Sequence, residues 1–213
     1  MDVVVAGGHG KIGLRLLRLL AARGDRARGL IRKPEQADDL EQAGAEPVIC
    51  DLEREDDISQ HVSGANAVVF AAGAGPGSGP ERKRTMDLGG ALKLIDAAKA
   101  TGVSRYLIVS SMGAGNPSSG SQQMRPYLEA KHDADEALAA SGLDYTIVRP
   151  GGLTDEPGSG RIALAESLGR RGSIPRDDVA AVLALTLTAD NTIGRSFELL
   201  GGDTPIEEAV RSL

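Results

Sequence analysis

Short apolar runs alternate with stretches in which apolar residues recur at helical spacing, beginning with Val3-Val4-Val5-Ala6 and continuing almost to the end of the chain. A run that is apolar throughout fits a strand buried on both faces. A period near 3.6 residues fits a helix with one face on a core. The pattern predicts strands at Val3–Ala6, Ala27–Ile31, Glu46–Ile49, Ala67–Phe70, Tyr106–Val109, Tyr145–Val148 and Ser196–Leu200. It predicts helices at Lys11–Ala22, Pro34–Ala43, Glu81–Ala100, Met124–Ala140, Arg176–Ala189 and Pro205–Val210.

Strand–helix alternation implies right-handed βαβ units. The expected fold is α/β, Rossmann-type and doubly wound, with a mostly parallel sheet of about six or seven strands and helices on both faces. The 213 residues suffice for one such domain, 1–213, with a small substrate lobe built from insertions around residues 151–175. Loops after strand ends hold most of the glycine and much of the polar chemistry: 7–10, 32–33, 51–53, 71–80, 110–121 and 149–160. Open α/β sheets bind ligands at that edge. Segments 71–80 and 113–121, rich in Gly, Ser and Pro, are expected to be mobile.

Composition narrows the partners. A net charge of −6 argues against nucleic acid or an anionic membrane surface, and 2% aromatic residues leave no base-stacking platform. The lone cysteine, Cys50, excludes an internal disulfide framework and fits a reducing compartment. There is no run of eighteen apolar residues and no basic leader at the start, so the expected location is the cytoplasm. Oligomeric state leaves no mark in the sequence.

Between the first strand and the first helix lies Gly7-Gly8-His9-Gly10-Lys11-Ile12-Gly13, with glycines spaced G-x-x-G-x-x-G. In that context glycines let backbone N–H groups approach a pyrophosphate at the positive end of a helix. Gly7, Gly10, Lys11, Ile12 and Gly13 are thus candidate dinucleotide ligands. NAD-specific chains place an acid at the end of the second strand, where it bonds the ribose 2′-hydroxyl. This strand ends Ile31-Arg32-Lys33 instead, and two cations there suit a 2′-phosphate, so the expected cofactor is NADP(H). Asp51-Leu52 follows the third strand, where the carboxylate either accepts from the adenine amino group or caps the next short helix. Ala71-Ala72-Gly73 ends the fourth strand with small side chains that leave room for a cofactor backbone or allow tight packing.

A second cluster is Tyr127-Leu128-Glu129-Ala130-Lys131. Residues four apart share a helix face. An ammonium beside a phenol favours tyrosinate, which makes Tyr127 a candidate general acid near neutral pH. Ser110-Ser111 ends the fifth strand and offers hydroxyls to orient a substrate carbonyl.

Taken together these segments resemble the short-chain dehydrogenase/reductase superfamily, and most of all its atypical branch of NAD(P)-binding proteins classed as sugar epimerases or oxidoreductases. The resemblance runs through the glycine loop, Asp51-Leu52, Val109-Ser110-Ser111, Tyr127-x-x-x-Lys131 and Asp144-Tyr145-Thr146-Ile147-Val148-Arg149-Pro150-Gly151. It implies Tyr127 as proton donor, Lys131 as its partner and a ribose ligand, and Ser111 rather than Ser110 as the carbonyl-orienting hydroxyl, with Ser110 beside the cofactor. It also implies that the turn at Pro150 borders the nicotinamide. The superfamily's fourth catalytic position, an asparagine, is occupied by Asp87, which cannot donate as an amide does.

Other polar residues are read as bystanders. His9 is expected to point to solvent, His132 to be exposed, and His61 to end a polar helix; three scattered histidines and Cys50 show no metal-ligand spacing. The expectation is an NADP(H)-dependent oxidoreductase acting on a small carbonyl-type substrate. Two alternatives stay open: an NAD(P)-dependent sugar epimerase, and a non-catalytic NADP(H)-sensing binding protein.

Overall fold

Seven strands pair side by side in parallel in the computed structural model, which describes residues 1–75 and 77–213. In chain order the elements are β1 (Asp2–Ala6), α1 (Lys11–Ala22), β2 (Arg26–Ile31), α2 (Ala37–Gln42), β3 (Glu46–Ile49), α3 (Ser59–Val62) and β4 (Ala67–Phe70). Next come α4 (Pro80–Arg82), a π-helical stretch Lys83–Gly90, α5 (Ala91–Thr101), β5 (Arg105–Val109), α6 (Arg125–Ala139) and β6 (Asp144–Pro150). The last part holds β7 (Gly152–Thr154), β8 (Arg161–Ala165), β9 (Ser173–Pro175), α7 (Arg176–Thr186), β10 (Arg195–Gly201), β11 (Thr204–Pro205) and α8 (Ile206–Arg211).

The main sheet runs β11-β8-β10-β6-β5-β4-β1-β2-β3. Strands β3 to β10 in that order are parallel, while β8 and β11 join antiparallel at one edge. From β1 the chain winds outward to β2 and β3, then returns to β4 on the other side. The switch point therefore lies between β1 and β4, where doubly wound sheets open a crevice at their carboxyl ends. Alternate residues of β1 go to opposite faces. Val3 and Val5 pack with Leu16 and Leu20 of α1 and Val179 and Leu183 of α7. Val4 and Ala6 pack with Leu94 and Ala98 of α5 and Leu138 of α6. Burial on both faces is the physical reason these strands are apolar throughout.

The expected count of six or seven strands needs correction: the seven parallel strands are present, and β8 and β11 make nine. Segment β8 has only Ile162 fully buried, so it shows no continuous apolar run, and β11 is two residues long. The region 151–175, expected as loop insertions, instead supplies β7, β8 and β9, of which β7 and β9 form a separate parallel pair. Two helices also differ from expectation. The stretch from Pro34 is a 3-10 turn, Pro34–Gln36, before α2 begins. The helix expected over Glu81–Ala100 widens to π geometry before α5, at Gly89-Gly90, where a Cβ on Gly90 would lie 3.3 Å from the Phe70 ring. No helix among the described residues is long and apolar enough to cross a membrane.

Candidate active site and dinucleotide crevice

The glycine loop is a tight cradle. Gly7 has φ 83°, and a Cβ there would lie 2.7 Å from the Ala72 backbone, so β1 and β4 exits pack almost backbone to backbone. A Cβ on Gly13 would lie 2.2 Å from the Gly7 carbonyl oxygen, so the first turn of α1 sits directly under the loop. Gly10 begins α1 with no side-chain cap, and there is no acid in the first turn. The positive end of the helix dipole is left for an external anion.

Above this cradle lies a cavity of about 300 Å³. Its walls include Gly7, Gly10, Arg32, Asp51, Leu52, Ala71, Ala72 and Gly73, eight of the residues singled out from sequence as cofactor ligands. Lys11, Ile12, Gly13, Lys33, Ser110, Lys131 and Pro150 are outside that wall. Ile12 is buried in the core, and Pro150, at the end of β6, accepts a hydrogen bond from the Met112 N–H at 2.9 Å. Lys11 pairs with Asp155 across the mouth of the loop, and Lys33 is exposed. Asp51 does the turn-capping job as well as facing the cavity: its Oδ1 accepts from the Glu53 N–H at 3.0 Å.

Sequence reading missed Arg82, which lines the same cavity. Its Nη2 lies 3.2 Å from Glu53 Oε2, and Arg32 Nη1 lies 4.0 Å from the same oxygen. Two guanidiniums thus converge on one half-buried carboxylate at the end of the crevice beside the β2 exit. The available signal was the cation cluster Arg82-Lys83-Arg84 just after the fourth strand.

The second cluster sits at the ends of β4 and β5. Helix α6 carries Tyr127 and Lys131 one turn apart, with the Lys131 Nζ 6.0 Å from the Tyr127 ring centroid and 5.7 Å from that of Phe70. The Lys131 ammonium is buried; it donates to the Val109 carbonyl at 3.0 Å and lies 3.2 Å from Asp87 Oδ1. The π-helical stretch aims Asp87 inward, where its Oδ2 accepts from the Ala74 N–H at 3.1 Å. Asp87 Oδ1 has charge contact with Lys131 but no well-aligned hydrogen bond. Asp87 therefore links the strand-β4 exit loop to the helix bearing Tyr127.

The two serines diverge. Ser110 is buried and donates to Asp135 Oδ2 at 2.8 Å, an oxygen that also accepts from Arg149 Nε at 2.9 Å. Burial pushes the Asp135 carboxyl above the usual carboxylate range against the opposing pull of Arg149 and Ser110. Ser111 is half-buried, and its hydroxyl donates to the carbonyl of the adjacent Met112 at 3.3 Å.

Two of the three histidines depart from expectation, while His61 stands in the last turn of the short polar helix α3 as expected. His9 is not free in solvent: Nε2 lies 2.7 Å from Asp39 and Nδ1 3.0 Å from Gln36, because the 3-10 turn and α2 pass beside the loop. His132 is half-buried, with Nδ1 3.0 Å from the Ala114 carbonyl. His61 lies within α3 and its Nε2 sits 2.8 Å from Glu55 Oε2. Although the linear spacing shows no metal pattern, the fold brings donor atoms of Cys50, Glu55 and His61 within 4.8 Å of one another. Burial, then the Glu55 charge, pushes the Cys50 thiol up to about 12.

Residues 7–190 match the NAD(P)H-binding family. The chain is 44% identical to the "Uncharacterized sugar epimerase YhfK" of Bacillus subtilis over 215 residues, covering all of both chains. Among solved structures it superposes with TM-score 0.96 on a Bacillus halodurans protein named "Putative NAD-dependent epimerase/dehydratase", at 41% identity over the whole of both chains. It superposes with TM-score 0.87 on the oxidoreductase ylbE of Lactococcus lactis, at 28% identity, covering 100% of this chain and 96% of that one. The chain belongs to the NAD(P)H-binding family of Rossmann-type, short-chain-dehydrogenase-like proteins, whose relatives carry oxidoreductase and epimerase names.

Proposed function

We propose that this protein is an NADP(H)-dependent oxidoreductase that reduces a small carbonyl-type substrate, and that the whole chain acts as one dinucleotide-binding domain with β7 and β9 beside the substrate. The observation that carries the NADP(H) reading is the pair of guanidiniums, Arg32 and Arg82, lining the crevice, with Arg32 at the end of β2 where NAD-specific chains place an acid; Glu53 pairs with both. A planar fork matches a phosphate, and charge-assisted bonds of this kind contribute on the order of 1.5–3 kcal/mol each. The residues fit the group. The glycine loop leaves no space for a Cβ, and the helix end beneath it lacks a side-chain cap.

Gly7, Gly10 and the first turn at Lys11, Ile12 and Gly13 would hold the pyrophosphate of the cofactor, and Arg32, with Lys33 at the rim, would hold its 2′-phosphate. Asp51 and Leu52 would recognise the adenine end, and Ala71, Ala72 and Gly73 floor the crevice. The cofactor would supply the hydride from its nicotinamide end. Pro150 and Ser110 back that end of the site. Ser111 donates to the substrate oxygen as negative charge gathers on it, and Tyr127 delivers the proton. Lys131 has three N–H donors, of which the Val109 carbonyl takes one while Asp87 lies in charge contact at 3.2 Å. A further N–H remains for a ribose hydroxyl. Asp87 offsets the buried ammonium's charge and holds Lys131 against the β4 exit loop. The single, buried Cys50 suits a reducing compartment, the cytoplasm.

The name of the 44% identical relative favours a second reading, in which the site would take a hydride from a sugar carbinol and return it to the opposite face of the resulting keto sugar, giving the epimer with no net change in the cofactor. Substrate-dependent NADPH oxidation, followed at 340 nm across carbonyl compounds, tests the first. On any substrate that turns over, Tyr127→Phe is expected to lower kcat about 10²–10⁴-fold while NADPH binding holds. Equal rates for wild type and Tyr127→Phe would overturn the assignment of the proton donor. Turnover of a sugar without net NADPH loss would favour the epimerase.

A further inference from the structure

We propose that Cys50, Glu55 and His61 form a binding site for a borderline-soft divalent cation of the Zn²⁺ type, in the turn between β3 and α3. The three donors are a sulfur, a carboxylate oxygen and an imidazole nitrogen, all within 4.8 Å of one another. This is the mixed set that Zn²⁺ selects, whereas Mg²⁺ and Ca²⁺ prefer oxygen alone. Zinc bond lengths of about 2.0–2.3 Å at tetrahedral angles separate neighbouring donors by about 3.3–3.6 Å. His61 Nε2 and Glu55 Oε2 stand at 2.8 Å, so they part by roughly half an ångström when a cation enters between them and the thiol.

Each donor is held by its element. Cys50 continues the β3 ladder, its N–H donating to the Ile31 carbonyl at 2.8 Å. The Asp51 N–H holds the second Glu55 oxygen, Oε1, at 2.8 Å, which orients Oε2 toward His61. Lys93 donates from α5 to the carbonyls of Leu52 and Glu55 and closes the turn. Supporting bonds of this sort orient metal ligands and raise affinity. Cys50 is buried, while Glu55 and His61 are half-buried, so a cation has a route in and a fourth position open to water. On binding, the thiol proton leaves to solvent; thiolate and carboxylate together neutralise the divalent charge. None of its three ligands is assigned a catalytic or cofactor-binding role, although Cys50 also lines the crevice, so the metal titration is read without cofactor present.

The test uses untagged full-length protein, stripped with a chelator and titrated with Co²⁺ at neutral pH. The expected result is one saturable equivalent with a near-ultraviolet thiolate-to-cobalt band, displaced by Zn²⁺ and not by Mg²⁺. Cys50→Ser removes the band, and His61→Asn and Glu55→Gln each weaken binding at least about tenfold. Zn²⁺ raises the Tm of the wild type but not of Cys50→Ser. The absence of a saturable thiolate band would overturn the proposal, as would a band of unchanged affinity in His61→Asn.

Discussion

Removing the Asp87 carboxylate strands the Lys131 ammonium inside the protein. The two side chains are only 1% and 4% exposed and lie 3.2 Å apart, and among the described residues the ammonium's hydrogen bond goes to the Val109 carbonyl. Breaking a buried pair from one side typically costs about 3–5 kcal/mol, because the remaining charge has lost both water and partner. For a chain of 213 residues that corresponds to a fall in Tm of about 6–20 °C. Asp87→Ala also loses the bond from the Ala74 N–H, which places it toward the upper end. Lys131→Met is expected to cost a similar amount, by stranding the carboxylate instead. The double variant, Asp87→Ala with Lys131→Met, buries no charge, and paired removal of buried ions is often close to neutral. With each single at about 3–5 kcal/mol and the double near neutral, the double-mutant cycle, measured by urea unfolding with circular dichroism, should give a coupling of about 6–10 kcal/mol, less the cost of the Ala74 N–H that the double also leaves unpaired. Single-variant losses that add to within about 0.5 kcal/mol would refute the pair as an energetic unit.

Gly13→Ala forces a methyl to within 2.2 Å of the Gly7 carbonyl, so the loop and α1 must separate. The NADPH Kd read by cofactor fluorescence should rise more than about tenfold, a loss of about 1.4 kcal/mol, and an unchanged Kd would show that the loop is not the cradle. Hydrogen bonds from Arg15 to Asp177 and from Lys11 to Asp155 hold both carboxyls below their usual range. A depressed folded pKa contributes stability above the unfolded value, near pH 4, and loses it as pH falls through the folded value. Urea midpoints should therefore drop below about pH 4, and Asp177→Asn should make that drop shallower; the pairs are exposed, so the change is small. An identical acid slope in Asp177→Asn would contradict the assignment.

The seven parallel strands were legible because burial on two faces demands unbroken apolar runs, as in Val3–Val5 and Leu107–Val109. The antiparallel edge was not, because β8 has one fully buried residue and carries no such run. The helix-face pairing of Tyr127 and Lys131 follows from a four-residue spacing. Asp87 reaching Lys131 does not, because it depends on the widened π-helical stretch that turns the carboxylate inward. Arg82 joins Arg32 only after two crossovers bring α4 beside the β2 exit. Cys50 and Glu55 lie in a turn that leads into α3, which carries His61, and no linear pattern announces its closure by Lys93.

The most direct test of the central claim is calorimetric titration of the wild type and Arg32→Ala with NADPH and with NADH. Wild type should bind NADPH at one site about 10–100-fold more tightly than NADH, the equivalent of one charge-assisted phosphate contact. Arg32→Ala should close most of that gap and leave NADH affinity unchanged. Equal affinity of the wild type for the two cofactors, or no binding of either, would contradict the account.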